Sequence, residues 1–253
     1  MTQAVGRFRK LPLILAGVAA FAITLLVALP ARLITPLLPS TVSVGMLDGT
    51  LWHGTTDSLA VNGRHLGAVQ WRLLPLQLFR ARLGVDFELT RADGQARGRL
   101  AIGLGDRVEL QNLAATLPLE ALAGSVAPAA WSGTVDANLE RLAVRPGTVP
   151  EIEGTLEVRN LRAPPPDGAT IGNYRVTFDA ASRQDAQLVG KLQDLEGPMQ
   201  VTGNVSLAAD RSYVIEGLVA PRAGATESIT RTLQFLGAPD AEGRRPFSVA
   251  GTY

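Results

Sequence analysis

The stretch that most constrains this chain is Leu11 to Leu29, LPLILAGVAAFAITLLVAL, nineteen residues with no charge and only Thr24 as a strongly polar side chain. As a helix it would reach roughly 28 Å, close to the roughly 30 Å hydrocarbon core of a bilayer. The run predicts a single membrane-spanning helix. Arg7, Arg9 and Lys10 precede it, only Arg32 follows directly, and no acidic residue occurs in the first 32 positions. The positive-inside rule then keeps residues 1–10 in the cytoplasm and sends the rest of the chain outward. A cleaved signal peptide would have a shorter apolar core and small residues at its exit. Here the exit reads Ala28-Leu29-Pro30-Ala31-Arg32, which favours an uncleaved anchor. A buried core helix is disfavoured because the run has no polar face and no second such segment to pack against.

The division that follows is residues 1–10 cytoplasmic, 11–29 spanning, 30–40 a linker punctuated by Pro30, Pro36 and Pro39, and 41–253 exported and β-rich. A sub-boundary is expected near 163–168, at Pro164, Pro165 and Pro166, with one sheet continuing across it. Setting aside Arg7, Arg9, Lys10 and Arg32, 20 basic residues stand against 23 acidic ones, so the exported part carries about −3. That is no nucleic-acid footprint. The chain has no cysteine, which removes disulfides, thiol catalysis and thiolate metal sites from consideration.

Beyond Thr41 the apolar residues recur every second position. Leu83, Val85, Phe87 and Leu89 alternate with Gly84, Asp86, Glu88 and Thr90, and Asp93-Gly94 signals a hairpin into a strand around Arg97 to Leu104. The same alternation marks strands around Ile152–Val158, Val176–Ala180 and Val201–Leu207. Such strands have one wet and one dry face and belong to antiparallel sheets. Helical candidates are three and short: Leu76–Ala81, Leu117–Ala123 and Thr226–Leu236. Repeated apolar-x-Gly-x-apolar elements place glycines on the dry face, where a sheet can bend or another layer can come close. The fold class expected is all-β: one N-terminal transmembrane helix, then a curved antiparallel sheet or an open sandwich or groove with a few short helices.

Chemistry-bearing motifs are scarce. There is no G-x-S-x-G elbow, H-E-x-x-H helix or phosphate-binding G-x-x-x-x-G-K-[ST] loop. His53 and His65 would need Asp48 or Asp57 beside them to hold a metal. Asp86/Glu88 and Glu151/Glu153 read as solvated ladders, and Trp52, Trp71 and Trp131 as packing anchors. No enzyme activity, cofactor or metal is expected.

Residues 44–83 carry the one specific pattern. Gly49-Thr50-Leu51-Trp52-His53-Gly54, then Leu66-Gly67, Val69-Gln70-Trp71 and Pro75, resembles the type II secretion system protein N family. Gly154-Thr155-Leu156 and Asn160-Leu161 echo its more generic elements. The resemblance implies a Gram-negative inner-membrane protein with a periplasmic domain, an accessory part of the machinery that exports folded proteins. Its partners would be other secretion-system subunits, with no nucleic acid. Gly49, Thr50, Leu51, Trp52, Gly54 and Trp71 are family-motif residues of structural rather than catalytic type. The sheet would offer edges and a dry concave face to partners. A weaker similarity, to the lipid-handling β-grooves of AsmA-like proteins, makes lipid in an apolar groove the alternative.

Overall fold

The computed structural model describes residues 10–79, 81–103, 105–122, 130–164, 168–179, 182–184 and 187–252. The expected cytoplasmic residues 1–9 and Pro165 and Pro166 lie outside them. The apolar run forms helix α1 (Lys10–Val27). Pro30 has no amide hydrogen to continue the ladder, and the helix ends just before it. The side chains of residues 10–15, 19, 22, 23, 37, 183 and 184 are also outside the described set. Among the described residues, no helix is long and apolar enough to cross a membrane. After a short 3₁₀ helix (Ala31–Leu37), the chain is almost wholly strand.

The strands are β1 (Val42–Val44), β2 (Leu47–Gly49), β3 (His53–Val61), β4 (Arg64–Leu73), β5 (Leu83–Arg91), β6 (Gly94–Ile102), β7 (Val108–Pro118) and β8 (Ser132–Val144). They continue as β9 (Glu151–Arg162), β10 (Thr170–Phe178), β11 (Arg183–Gln184), β12 (Gln187–Glu196), β13 (Met199–Ala208), β14 (Ser212–Pro221) and β15 (Arg245–Thr252). All belong to one antiparallel sheet whose spatial order is the chain order, with β2 sharing β3 beside β1 and β11 pairing only with β12. The sandwich alternative is therefore corrected: among the described residues no second sheet faces the first. β9 pairs directly with β10, Thr170 opposite Arg162, so the sheet does continue across the proline-rich loop.

Alternation explains the two faces. One rung of the apolar face runs from Val69 through Leu89, Ala96, Ala115 and Ala137 to Leu156, then Val176 and Leu192. The adjacent polar rung runs through Gln70, Glu88, Arg97, Asn138, Thr155 and Lys191. A single layer leaves both faces half covered. The accessible surface is 16462 Å², against about 10,700 Å² expected for a globular monomer of this mass. No large side chain among the described residues is fully buried. Among the described residues a hydrophobic cluster forms where α3 (Glu227–Leu233) packs Ile229 and Leu233 onto Val201 and Val219.

The other short helices are smaller than expected. α2 (Pro75–Leu78) is a single turn. In the Leu117–Ala123 candidate, Leu117 and Pro118 remain in β7 and only Leu119–Leu122 turns, as a 3₁₀ helix; Ala123 lies outside the described residues. β7 and β8 pair Leu117 with Val135, and that ladder outcompetes local helical spacing. The Arg91–Gly94 hairpin forms, but its corner is Ala92-Asp93 and Gly94 already lies in β6. Gly94 serves a close approach: a Cβ there would press on the Thr116 carbonyl of β7.

Glycines on the apolar face make room for rings. Trp71 lies over Gly54 and Tyr213 over Gly251, each glycine directly opposite its aromatic on the neighbouring strand, and Phe178 lies over Gly190 of the adjacent β12. The ring covers backbone that no second layer covers. Strand irregularities fall at Asn112 and Asn160, both in the left-handed region (φ 50 and 51), where the register of β7 and β9 slips by a residue. Asparagine tolerates that conformation, and such bulges add local twist.

At Gly190 a Cβ would come 2.5 Å from the Phe178 ring. Gly190→Val is expected to destabilise the sheet by about 1–3 kcal/mol, read as a lowered urea midpoint of the full chain in detergent. An unchanged midpoint would show that the ring can move aside.

Candidate functional site: the helix–sheet junction

The Gly-Thr-Leu-Trp-x-Gly segment forms the turn from β2 to β3, at the end of the sheet nearest α1. Gly49 has φ +89, and a Cβ there would lie 2.5 Å from the His53 carbonyl oxygen, so glycine is needed on both counts. The Thr50 amide donates to that same carbonyl at 2.8 Å, and the Thr50 hydroxyl accepts from the His53 amide at 3.2 Å. A four-residue turn closes on itself. Its outer residues are thereby aimed at the helix.

α1, like any helix, leaves its last carbonyls without intrahelical donors. The Trp52 indole N–H donates to the Leu26 carbonyl at 2.8 Å, and the Leu51 amide donates to the Leu29 carbonyl at 2.8 Å. Pro30 bridges Thr50, and Ala31 is only 1% exposed. From the other side the Trp71 indole donates to the Leu51 carbonyl at 3.2 Å, and the Leu73 amide to the Trp52 carbonyl at 2.8 Å. Gly54 lets the Trp71 ring lie flat enough to reach. All six motif residues thus meet at one junction. The sequence carried the motif but not its target: the backbone atoms of Leu26 and Leu29 have no signature in a residue pattern.

The remaining candidates disperse. His53 opposes Arg72 and His65 opposes Ala60, at opposite ends of the β3–β4 hairpin. Seven residues of strand, roughly 23 Å, separate them, too far to share a metal ion. The Asp57 carboxylate accepts from the Met46 amide. Among the described residues no group of histidine and acidic side chains could hold a metal. Trp131 is half-buried just before β8.

Within the expected carboxylate ladders, Asp86 and Glu151 stay partly exposed and also approach arginines. Asp86 accepts from Arg99 at 2.6 Å, and Glu151 approaches Arg107 and Arg141 at 3.6 and 3.4 Å. Glu109, 6% exposed, lies between the same two arginines. Its carboxyl is held below the ordinary glutamate range by the Gln111 amide and then by those guanidiniums. Glu157 is lowered likewise by Arg159 and Arg175. The Tyr174 phenol is pushed up to about 12, chiefly by burial and then by Asp194, itself paired with Arg222.

A hollow of about 550 Å³ opens on the polar face and is lined by Glu88, Arg97, Thr116, Asp136, Asn138 and Glu157 among others. A second, of about 430 Å³, is lined by Asp48, His53, Gln70, Arg72 and Asp86 with Trp71. Both hollows are lined largely by charged and polar side chains, because alternation places Glu88, Arg97, Asp86 and Arg72 on one face of the sheet.

An apolar helix stapled by its C-terminal carbonyls to one end of a single-layer meander defines a helix-tethered β-sheet protein. The chain belongs to the type II secretion system protein N family: residues 40–248 match that family, described as type II secretion system (T2SS), protein N. The type II secretion system protein N of Aeromonas hydrophila is 25% identical over 236 residues, covering 90% of this chain and 92% of the relative. That of Vibrio cholerae serotype O1 is 26% identical over 242 residues, with the same coverage. No solved structure matches.

Trp52→Phe keeps the ring but removes the donor to Leu26. The loss of about 0.5–1.5 kcal/mol should speed hydrogen exchange at the Leu51 amide roughly two- to twelvefold, with the β12–β14 amides unchanged. Equal exchange in both proteins would show that the indole bond does not hold the junction.

Proposed function

We propose that the protein is an accessory component of a type II secretion system, anchored in the inner membrane by α1, with the sheet on the periplasmic side. The observation that carries the reading is the family match over residues 40–248, on a chain whose sheet is fastened to an apolar helix. The sequence of residues 11–29 supports the span, the basic residues before it support a cytoplasmic N-terminus, and residues 30–40 pass from helix to sheet. The exposed side chains of Val18, Phe21, Leu25 and Val27 suit lipid better than water. Gly49, Thr50, Leu51, Trp52, Gly54 and Trp71 serve in this reading as the fastening, a structural and non-catalytic role. Partner subunits would meet the sheet at its edge strands β1 and β15, unpaired on one side among the described residues, or on its ionic face, where backbone groups and fixed charges give register.

Deleting the gene from a strain with all other components intact is expected to lower secreted enzyme in the medium and raise it in the periplasm. The full chain should restore export. Unchanged export would refute the reading.

The second reading, a lipid-binding or lipid-transferring sheet, is favoured by the apolar face, which no second sheet covers among the described residues. The polar lining of the hollows favours the first. Phospholipid retained stoichiometrically through detergent exchange, read by native mass spectrometry, is the outcome the lipid reading predicts, and a lipid-free protein would exclude it.

A further inference from the structure

The β4–β5 connection, residues 74–82, is built inside out. It folds back on β5 through the Leu74 amide, which donates to the Gly84 carbonyl at 2.8 Å, and the Arg82 amide, which donates to the Gln77 carbonyl at 3.1 Å. The side chain turned inward is polar: Gln77 packs over Gly84. The side chains turned outward are apolar, with Leu76 78% exposed, Leu78 48% and Phe79 88%. A water-facing loop has no reason to hide its amide and display two leucines and a phenylalanine.

The apolar surface does not stop at the loop. Leu83, Ile102, Val108 and Val144 are all exposed and oppose one another in sequence across β5, β6, β7 and β8, forming the last rung of the apolar face. This end of the sheet is also the end at which Trp52 and Leu51 grip α1. Exposed arginines stand around the rim: Arg72, Arg82 and Arg145, with Arg32 beside the helix exit. Acidic neighbours are Asp86 opposite Arg72, Glu109 within the field of Arg82, and Asp106 in the β6–β7 turn, of which Asp86 and Glu109 already pair with Arg99, Arg107 and Arg141.

We propose that this end of the sheet seats on an anionic phospholipid surface, with Leu76, Leu78 and Phe79 dipped into the interfacial region and Arg72, Arg82 and Arg145 at the phosphates. An apolar edge with a cationic rim matches both layers of such a surface. Indole rings favour the same depth, which suits Trp52 at the helix exit. The proposal rests on the reading of α1 as a span. It adds that the sheet stands on the membrane by a second contact, which fixes its orientation as a tether alone would not.

The absence of native cysteine permits single labels. The full chain carrying Phe79→Cys, or separately Leu78→Cys, is labelled with bimane and reconstituted into vesicles of phosphatidylethanolamine and phosphatidylglycerol containing shallow spin-labelled lipid. Val18→Cys reports the span, and Arg64→Cys reports the far end of the same hairpin, roughly 33 Å away along β4. Loss of fluorescence is expected at 78 and 79 but not at 64. Replacing phosphatidylglycerol by phosphatidylcholine should weaken that quenching while leaving residue 18 in lipid. No quenching at 78 and 79 with residue 18 in lipid overturns the seating and leaves the anchor standing. If residue 18 also stays in water, both fall. Equal quenching on neutral vesicles overturns the assignment to an anionic surface.

Discussion

Everything in this protein depends on the backbone ladder between successive strands. With no second sheet among the described residues and a small apolar cluster under α3, side-chain burial cannot be the main source of order. Each strand is fixed instead by two neighbours, through N–H and C=O groups that would otherwise need water. Rungs of like character cross the ladder. The aromatic rings of Trp71, Phe178 and Tyr213 lie across glycines of neighbouring strands and shield the ladder locally, doing on one layer what a facing sheet does in a sandwich. Ion pairs such as Arg99–Asp86 and Arg175–Glu157 fix register on the other face more than they add stability.

The strands were legible because alternation is a local property. Leu83–Leu89, Ile152–Val158 and Val201–Leu207 each show period two, and each lies in a strand of the observed sheet. What covers a dry face is a long-range property, and the same alternation serves one layer as well as two. Helical spacing alone suggests the short helices, and it misplaces Leu117 and Pro118, which pair with Val135 and Thr134 of β8. The bulges at Asn112 and Asn160 left a faint trace, an asparagine before a leucine. That trace acquires meaning only once the register slip is known.

The junction was half legible. Gly49, Thr50, Leu51, Trp52, Gly54 and Trp71 stood out as a block, since a glycine at positive φ, a turn-closing threonine and two indoles are each restrictive choices. Their common purpose lies in main-chain carbonyls contributed by Leu26 and Leu29, and any apolar residue at those positions would supply the same oxygen. A motif that binds backbone therefore leaves no matching motif on the other side. The inverted loop at 74–82 illustrates the converse. Its leucines read naturally as the inner face of a short helix, and only the contact of Gln77 with Gly84 shows which way they point.

Because spatial order and chain order coincide, every strand on the main path finds its template in the segment made just before it. A polypeptide delivered amino end first can zip onto itself strand by strand, closing mostly short loops, the longest being the connection through α3 from β14 to β15. On such a route growth would begin beside the helix with β1 to β3 and advance toward β15. Among the described residues both end strands of the ladder, β1 and β15, keep an unpaired edge, so a strand from another chain can extend this sheet from either side.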